Sequence, residues 1–349
     1  MKAFVSLGGG QAGWAEKAIP QPTGFDGVLR PLLVSPCTSD VHNVAIDCLA
    51  PNRTLGHEGL GEIVAVGDQV KEFQVGEIVV VPPVTPNWRT VPSQLGAHQH
   101  CEGLITGQKL SNSEDGLMAE YALIRDLDAN AARIPPGVSW EAAVLAADML
   151  NTGLYGAQLA DVQPGDTVVV LGVGPVGLMA VAGARLRGAG QIIAIGSRPA
   201  GMALARTYGA TDLINYREED VTRRVHLLTD KQGADCCICA GGGPDALGQA
   251  VAMVRWGGTV GNVNYFATYG DLPINSVRYG FGMGNKTIRG GECPGGRARM
   301  EKLLALLQYD RVDPTPLITH RFQGLDQVEA AFRLMAQKPP SLVKTMVAL

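Results

Sequence analysis

Thr167-Val168-Val169-Val170-Leu171-Gly172-Val173-Gly174-Pro175-Val176-Gly177 runs without a break from a β-branched apolar stretch into three glycines. The run Val168 to Leu171 has the length and composition of a strand buried on both faces. The chain continues LMAVAGARLRG, which suits a helix. A G-x-G-x-x-G at a strand-to-helix junction is the context a dinucleotide-binding loop requires. Gly172 permits the tight turn, Gly174 lets a pyrophosphate approach the backbone, and Gly177 allows the helix to pack closely on the strand, with Val173, Pro175 and Val176 completing the loop. With 45 glycines in the chain a bare motif is weak, and a turn that only packs helix on sheet would read the same way. The junction favours the nucleotide.

The next strand, Gln191 to Ile195, is followed by Gly196-Ser197-Arg198. An NAD site calls for a carboxylate there to accept from the adenosine ribose. A small residue, a hydroxyl donor and a permanently charged planar fork suit a 2′-phosphate instead, so the cofactor expected is NADP(H). Tyr216, at the end of the following strand, is placed to flank the adenine. The alternation persists through DLINY, ADCCICAGG, ALGQAVAMVRWGG and TVGNVNY, the pattern of a doubly wound parallel sheet. Upstream, WEAAVLAADMLNTGLYGAQLA reads as helical, with Ser139 as N-cap and Glu141 in the first turn. The first third is made of short apolar stretches between Gly and Pro, the marks of a β-rich, barrel-like domain. Its polar segment from Pro86 to Gly116 is long enough to be functional. The tail from about Arg299 adds two helical stretches, and LVKTMVAL is strand-like and suited to rejoin the first domain.

At 349 residues, 46% hydrophobic and 18% charged, the chain is expected to form two globular domains with small molecules binding between them. A net charge of −4 with no long run of Lys or Arg argues against nucleic-acid and membrane-surface partners. Val168 to Ala184 is apolar but broken by glycines and a proline, so it reads as strand and helix rather than a membrane span. Seven scattered cysteines imply no disulfide framework, and with no secretory signal the expected location is the cytoplasm.

Two short segments carry metal-ligand chemistry. Cys37-Thr38-Ser39-Asp40-Val41-His42 puts a thiol, a hydroxyl and an imidazole on one turn, and Leu55-Gly56-His57-Glu58-Gly59 sets a second imidazole beside a carboxylate. Cys37 and His57 suit a zinc site that keeps one position open for a substrate oxygen. On residue chemistry alone, Cys37 would equally serve as a small buried side chain and His57 as a hydrogen-bonded core imidazole. His98, His100 and Cys101 form a second, weaker cluster on one loop.

Together, PCTSDVH, LGHEGLGEIVAVG, VPPVTPNWRT, AADMLNTGLYGAQLAD, LGVGPVGLMAVAGARLRGAG, IGSRP, GNVNYF and CPGGRARME resemble the zinc-dependent medium-chain dehydrogenase/reductase superfamily, and within it the NADP-dependent secondary alcohol dehydrogenases. The resemblance spans essentially the whole chain. It implies an α/β protein with a GroES-like β-rich catalytic domain over residues 1–150, a Rossmann doubly wound parallel-sheet domain over 151–294, and a segment 295–349 returning to the catalytic domain. It implies one catalytic zinc per chain on Cys37, His57 and Asp148, with Glu58 beside it as an occasional ligand or neighbour, and no second, structural zinc. By the same resemblance Thr152, Val263, Asn264, Tyr265 and Lys338 contact the cofactor. The activity implied is hydride transfer between NADP(H) and secondary alcohols or ketones, and some aldehydes, through an alkoxide on the metal. Ser39 would be the first proton carrier, with His42 further along the path. A small-molecule substrate and a homotetramer are also implied. Gln108 and Glu292 depart from the residues usual in close relatives, which implies room for bulkier or more polar substrates. A zinc-free quinone or enone reductase of the same fold would lack the ligand set Cys37, His57 and Asp148, and intact Ser39 and His42 beside that set speak against a non-catalytic relative.

Overall fold

The computed structural model describes residues 1–266, 270–277 and 280–349. The chain divides into two compact units, Met1–Asp148 with Pro294–Leu349, and Met149–Cys293.

The first unit holds a hairpin of β1 (Lys2–Gly8) and β2 (Gln11–Glu16), and a largely antiparallel sheet of β3 (Gly27–Val34), β4 (Gly59–Val66), β5 (Ile78–Val81), β6 (Ala122–Ile124) and β7 (Ala132–Arg133). The C-terminal segment adds β14 (Ile318–Gln323) and β15 (Lys344–Ala348), giving the order β14-β15-β3-β4-β5-β7 with β6 also on β3. Its core gathers Phe4, Leu29, Val34, Leu55, Ile63, Leu117 and Phe332, drawn from the strands, from the loops that hold Leu55 and Leu117, and from the amphipathic helix Val328–Gln337.

Two registers decide where the chemistry lies. Val34 at the end of β3 pairs with Gly59 at the start of β4, so Cys37, just past one strand, comes beside His57 and Glu58, just before the other. On the other side of β3, Val347 of β15 pairs with Val34, which brings Lys344 to the same end of the sheet. Ser35 Oγ donates to the Thr345 carbonyl at 2.7 Å and pins that register.

The second unit is a parallel sheet of β8 (Thr167–Leu171), β9 (Gln191–Gly196), β10 (Asp212–Asn215), β11 (Ala234–Cys239), β12 (Val254–Asn262) and β13 (Thr287–Gly290) in the order β10-β9-β8-β11-β12-β13. The order reverses at β8, and the open C-terminal end of such a strand is where doubly wound sheets bind ligands. Val169, Ile193, Ile214, Cys237 and Val260 fill one core face, so the close-set cysteines are strand residues.

The long helix read after Ser139 is interrupted. Ser139 Oγ caps Trp140–Leu145 by accepting from the Ala142 N–H at 3.2 Å, but Ala146–Leu150 then forms a π-helical turn before an α-helix resumes at Asn151–Leu159. Ala-rich composition gives no sign of the extra residue in that turn, which carries Asp148. Single π turns of this kind occur mostly at functional positions.

Candidate metal and cofactor site

Cys37, His57, Glu58 and Asp148 each offer one donor atom, and these atoms all lie within 4.8 Å of one another. Among the described residues this is the one group of three or more such side chains so arranged. Cys37 stands at the N-cap position of helix Thr38–Ala45 without using its side chain as a cap, leaving the sulfur for other work. Gly56, at φ +91, turns the chain into His57 where a Cβ would strike Met118, so only glycine serves at that position. Helix Trp140–Leu145 packs on β3 and β4 and delivers the π turn with Asp148.

His57 is oriented by a partner. Its Nδ1 lies 3.1 Å from Asp40 Oδ1, which also accepts from Ser111 Oγ at 2.6 Å and from the Gly56 N–H at 3.4 Å. Nε2 is thereby turned toward Asp148 Oδ2 at 3.5 Å, Glu58 Oε1 at 3.9 Å and Ser39 Oγ at 3.3 Å. A carboxylate behind the imidazole is the usual way a metal-binding histidine has its ring fixed. Asp40 is fully buried, which alone would push its carboxyl up, but the facing His57, Ser111 and the Gly56 N–H hold it below the usual range.

The electrostatics favour a cation among the four donors. Burial pulls the His57 pKa down, yet the Asp40 charge and the hydrogen bonds His57 makes to Asp148, Asp40 and Cys37 lift it well above its ordinary value. Glu58 is wholly buried and lifted to about 6 by that burial, against the pull of Lys344. Lys344 Nζ donates to Glu58 Oε1 at 2.6 Å, and burial does not discharge the amine, because Cys37, Glu58 and Asp148 hold it protonated. Glu58 Oε2 is buried with no hydrogen-bond partner, an acceptor turned to no protein donor. One sulfur, one imidazole and carboxylates around a point of negative potential fit a zinc ion.

The glycine loop has the geometry its sequence implies. Gly172 sits at φ +111, and a Cβ on Gly177 would lie 2.0 Å from the Gly172 carbonyl oxygen. Val173 is buried in a notch between Gly196 and Gly201, where a Cβ on Gly196 would come within 2.1 Å of its methyl. Gly174 caps helix Pro175–Leu186, with Pro175 and Val176 in its first turn. The Arg198 guanidinium lies over Gly174, about 3.6 Å from where a Cβ would stand. Burial lowers the Arg198 pKa, partly countered by Tyr216. Hydrogen bonding from Ser197 and the charges of Arg217 and Arg198 hold the exposed Tyr216 phenol below its usual range, against some burial.

Val263 and Asn264 follow β12; the Val263 N–H donates to the Cys239 carbonyl at 3.0 Å, and Asn264 Nδ2 to the Gly242 carbonyl at 3.2 Å. Tyr265 beside them is half exposed. Thr152 Oγ1 donates to Cys293 Sγ at 3.4 Å within the same unit. Lys338 belongs to the first unit, exposed at the C-cap of helix Val328–Gln337. Gln108 is half-buried in the first unit and Glu292 half-buried in the second.

Residues 27–136 match the alcohol dehydrogenase GroES-like domain, and residues 175–309 match the zinc-binding dehydrogenase family. Over its full length the chain is 50% identical to the NADP-dependent isopropanol dehydrogenase of Thermoanaerobacter brockii, all of which it covers. The chain belongs to the zinc-binding alcohol dehydrogenase family. Likeness to the NADP-dependent isopropanol dehydrogenase of Clostridium beijerinckii is nearly as high, 48% identity with 100% of both chains covered. In three dimensions the alcohol dehydrogenase TADH from Thermus sp. ATN1 superposes with a TM-score of 0.87 at 29% identity, covering 100% of this chain and 99% of that one. The α/β architecture with a GroES-like domain and a parallel-sheet domain is therefore that of the alcohol dehydrogenases.

Nothing local in the sequence of this alcohol dehydrogenase marks Asp40 or Ser111 as site residues. The one signal for Lys344 is a lysine inside the strand-like run LVKTMVAL, where an unpaired charge would be costly. His98 and His100 have other partners: His98 Nε2 accepts from the Gly295 N–H at 3.2 Å, and His100 Nδ1 from the Ile105 N–H at 2.9 Å.

Proposed function

We propose that this chain is a zinc- and NADP(H)-dependent oxidoreductase of secondary alcohols and ketones in which Cys37, His57 and Asp148 hold the metal and Glu58 stands beside it. The carrying observation is the convergence of these donors, with His57 braced by Asp40. When bound, zinc supplies Lewis acidity at the alcohol or carbonyl oxygen and NADP(H) supplies the hydride acceptor or donor.

The residues of the chain do the rest. Asp40 fixes the imidazole so that Nε2 is the ligating nitrogen, and Lys344 balances the charge that Glu58 brings to a buried site. Ser39, whose hydroxyl lies 3.3 Å from His57 Nε2, takes the proton of the alcohol or returns it. His42, three residues on and so on the same helix face, is the next group that can carry it outward. In the parallel-sheet unit, Gly172, Gly174 and Gly177 admit the pyrophosphate to the backbone, and Ser197, Arg198 and Tyr216 receive the phosphorylated ribose and adenine. Thr152, Val263, Asn264, Tyr265 and Lys338 are assigned to cofactor contacts on the strength of the family resemblance. The same reading makes the protein a cytoplasmic homotetramer acting on small molecules; its net charge of −4 supports no nucleic-acid or anionic-membrane partner.

Ketone-dependent NADPH oxidation tests the proposal when run on the wild type, Cys37→Ala and a chelator-treated sample, with NADH as control. We expect turnover with NADPH that falls at least about a hundred-fold in both altered samples, since even residues behind the ligands are worth ten- to hundred-fold. Turnover that survives both treatments moves the chemistry off the metal and onto a zinc-free reductase mechanism.

A further inference from the structure

The parallel pairing of β9 with β10 sets Gly196 opposite Asn215, so the residues that follow the two strands emerge side by side: Ser197 and Arg198 from one, Tyr216 and Arg217 from the other. Arg217 is held in place by its N–H, which donates to Asn215 Oδ1 at 3.1 Å, and its guanidinium lies over the Tyr216 ring at 6.0 Å. The turn that follows is acidic, yet every carboxylate in it is engaged elsewhere. Glu218 accepts from Asn215 Nδ2 at 2.6 Å, Glu219 pairs with Arg224 at 3.6 Å, and Asp220 caps the next helix by accepting from the Arg223 N–H at 3.0 Å. Among the described residues, Arg217 itself has no carboxylate within ion-pair distance. An exposed arginine next to three acidic groups, and paired with none of them, keeps its charge available to a ligand.

We infer that Arg217 is a second cation of the subsite for the cofactor's 2′-phosphate and, with Arg198, sets the preference for NADP(H) over NAD(H). This rests on the NADP(H) reading above. A phosphate monoester carries about −1.5 to −2 charges at neutral pH, more than one guanidinium neutralises. Arg198 approaches over the glycine loop and Arg217 from the neighbouring strand end, so the two can meet different oxygens of one phosphate.

Calorimetric titration of the full chain with adenosine 2′,5′-bisphosphate and with 5′-AMP separates the terms. In Arg217→Ala we expect the bisphosphate to bind about five-fold more weakly and 5′-AMP to change less than about two-fold, with Arg217→Lys recovering most of the loss. Equal weakening of both probes would mean that Arg217 only props Tyr216, and no weakening of either would mean it does nothing here; both outcomes overturn the inference. Arg198→Ala is the control. A wild type that does not prefer the bisphosphate sinks the NADP(H) reading itself, whereas a preference removed by Arg198→Ala and untouched by Arg217→Ala sinks only the role of Arg217.

Discussion

The donor cluster proposed to hold the metal and the glycine loop solve opposite problems. The loop spans six consecutive residues from Gly172 to Gly177 and works by what its side chains lack, since a Cβ on Gly177 would run into the Gly172 carbonyl. The cluster works by what its side chains carry, and it gathers them from distant parts of the chain, with Glu58 and Lys344 separated by 286 residues. A local backbone device can be replaced only by breaking its shape. A buried charge device can be broken by removing any one partner, because the others then stand uncompensated.

The largest expected effect comes from Lys344→Met, which leaves the Glu58 charge buried without its lysine partner. Removing one member of a buried pair costs about 3–5 kcal/mol, and the double variant Lys344→Met with Glu58→Gln should recover most of it in denaturant unfolding. Failure of the second change to restore stability would show that the pair does not act as a unit. On the other side of the comparison, Gly177→Ala should cost about 1–3 kcal/mol through steric conflict and weaken NADPH binding while leaving zinc content unchanged. If zinc is lost as well, the two devices are not independent. The smallest effect concerns Asp40→Asn, for which competition with a chelator should show zinc affinity reduced about ten-fold. Here pH gives a second reading. A ligating His57 must be neutral, and its pKa is high because Asp40 and its neighbours overcome the downward pull of burial, so wild-type zinc affinity rises as pH rises through that raised value. In Asp40→Asn the rise should move to lower pH; an unmoved profile would separate Asp40 from the imidazole.

The same contrast explains what could be read from the sequence. The loop, its flanking strands and Gly196-Ser197-Arg198 were legible because their chemistry is contiguous and their spacing follows strand and helix geometry. Cys37 and His57 were visible as residue types but ambiguous, since what brings them together is the register Val34 opposite Gly59, and no local pattern states it. Asp148 stood out only through family resemblance. Its place in a π turn was hidden because an alanine-rich helix looks the same with or without one extra residue. Asp40 lies within the segment Cys37 to His42 but carries no sequence signal, because its task, orienting a histidine from behind, leaves no spacing signature.

The pairing of Glu58 with Lys344 also has a meaning in time. At about 5–20 residues per second, a ribosome makes Lys344 roughly a quarter of a minute to a minute after Glu58, given the 286 residues between them. Through that interval Glu58 lacks its lysine partner, and the first unit lacks its segment Pro294–Leu349. The unit Met149–Cys293, whose residues are contiguous, is free to fold first, inverting the usual order in which the N-terminal domain leads. β15, the last strand to be synthesised, is therefore the one that brings Glu58 its counter-charge.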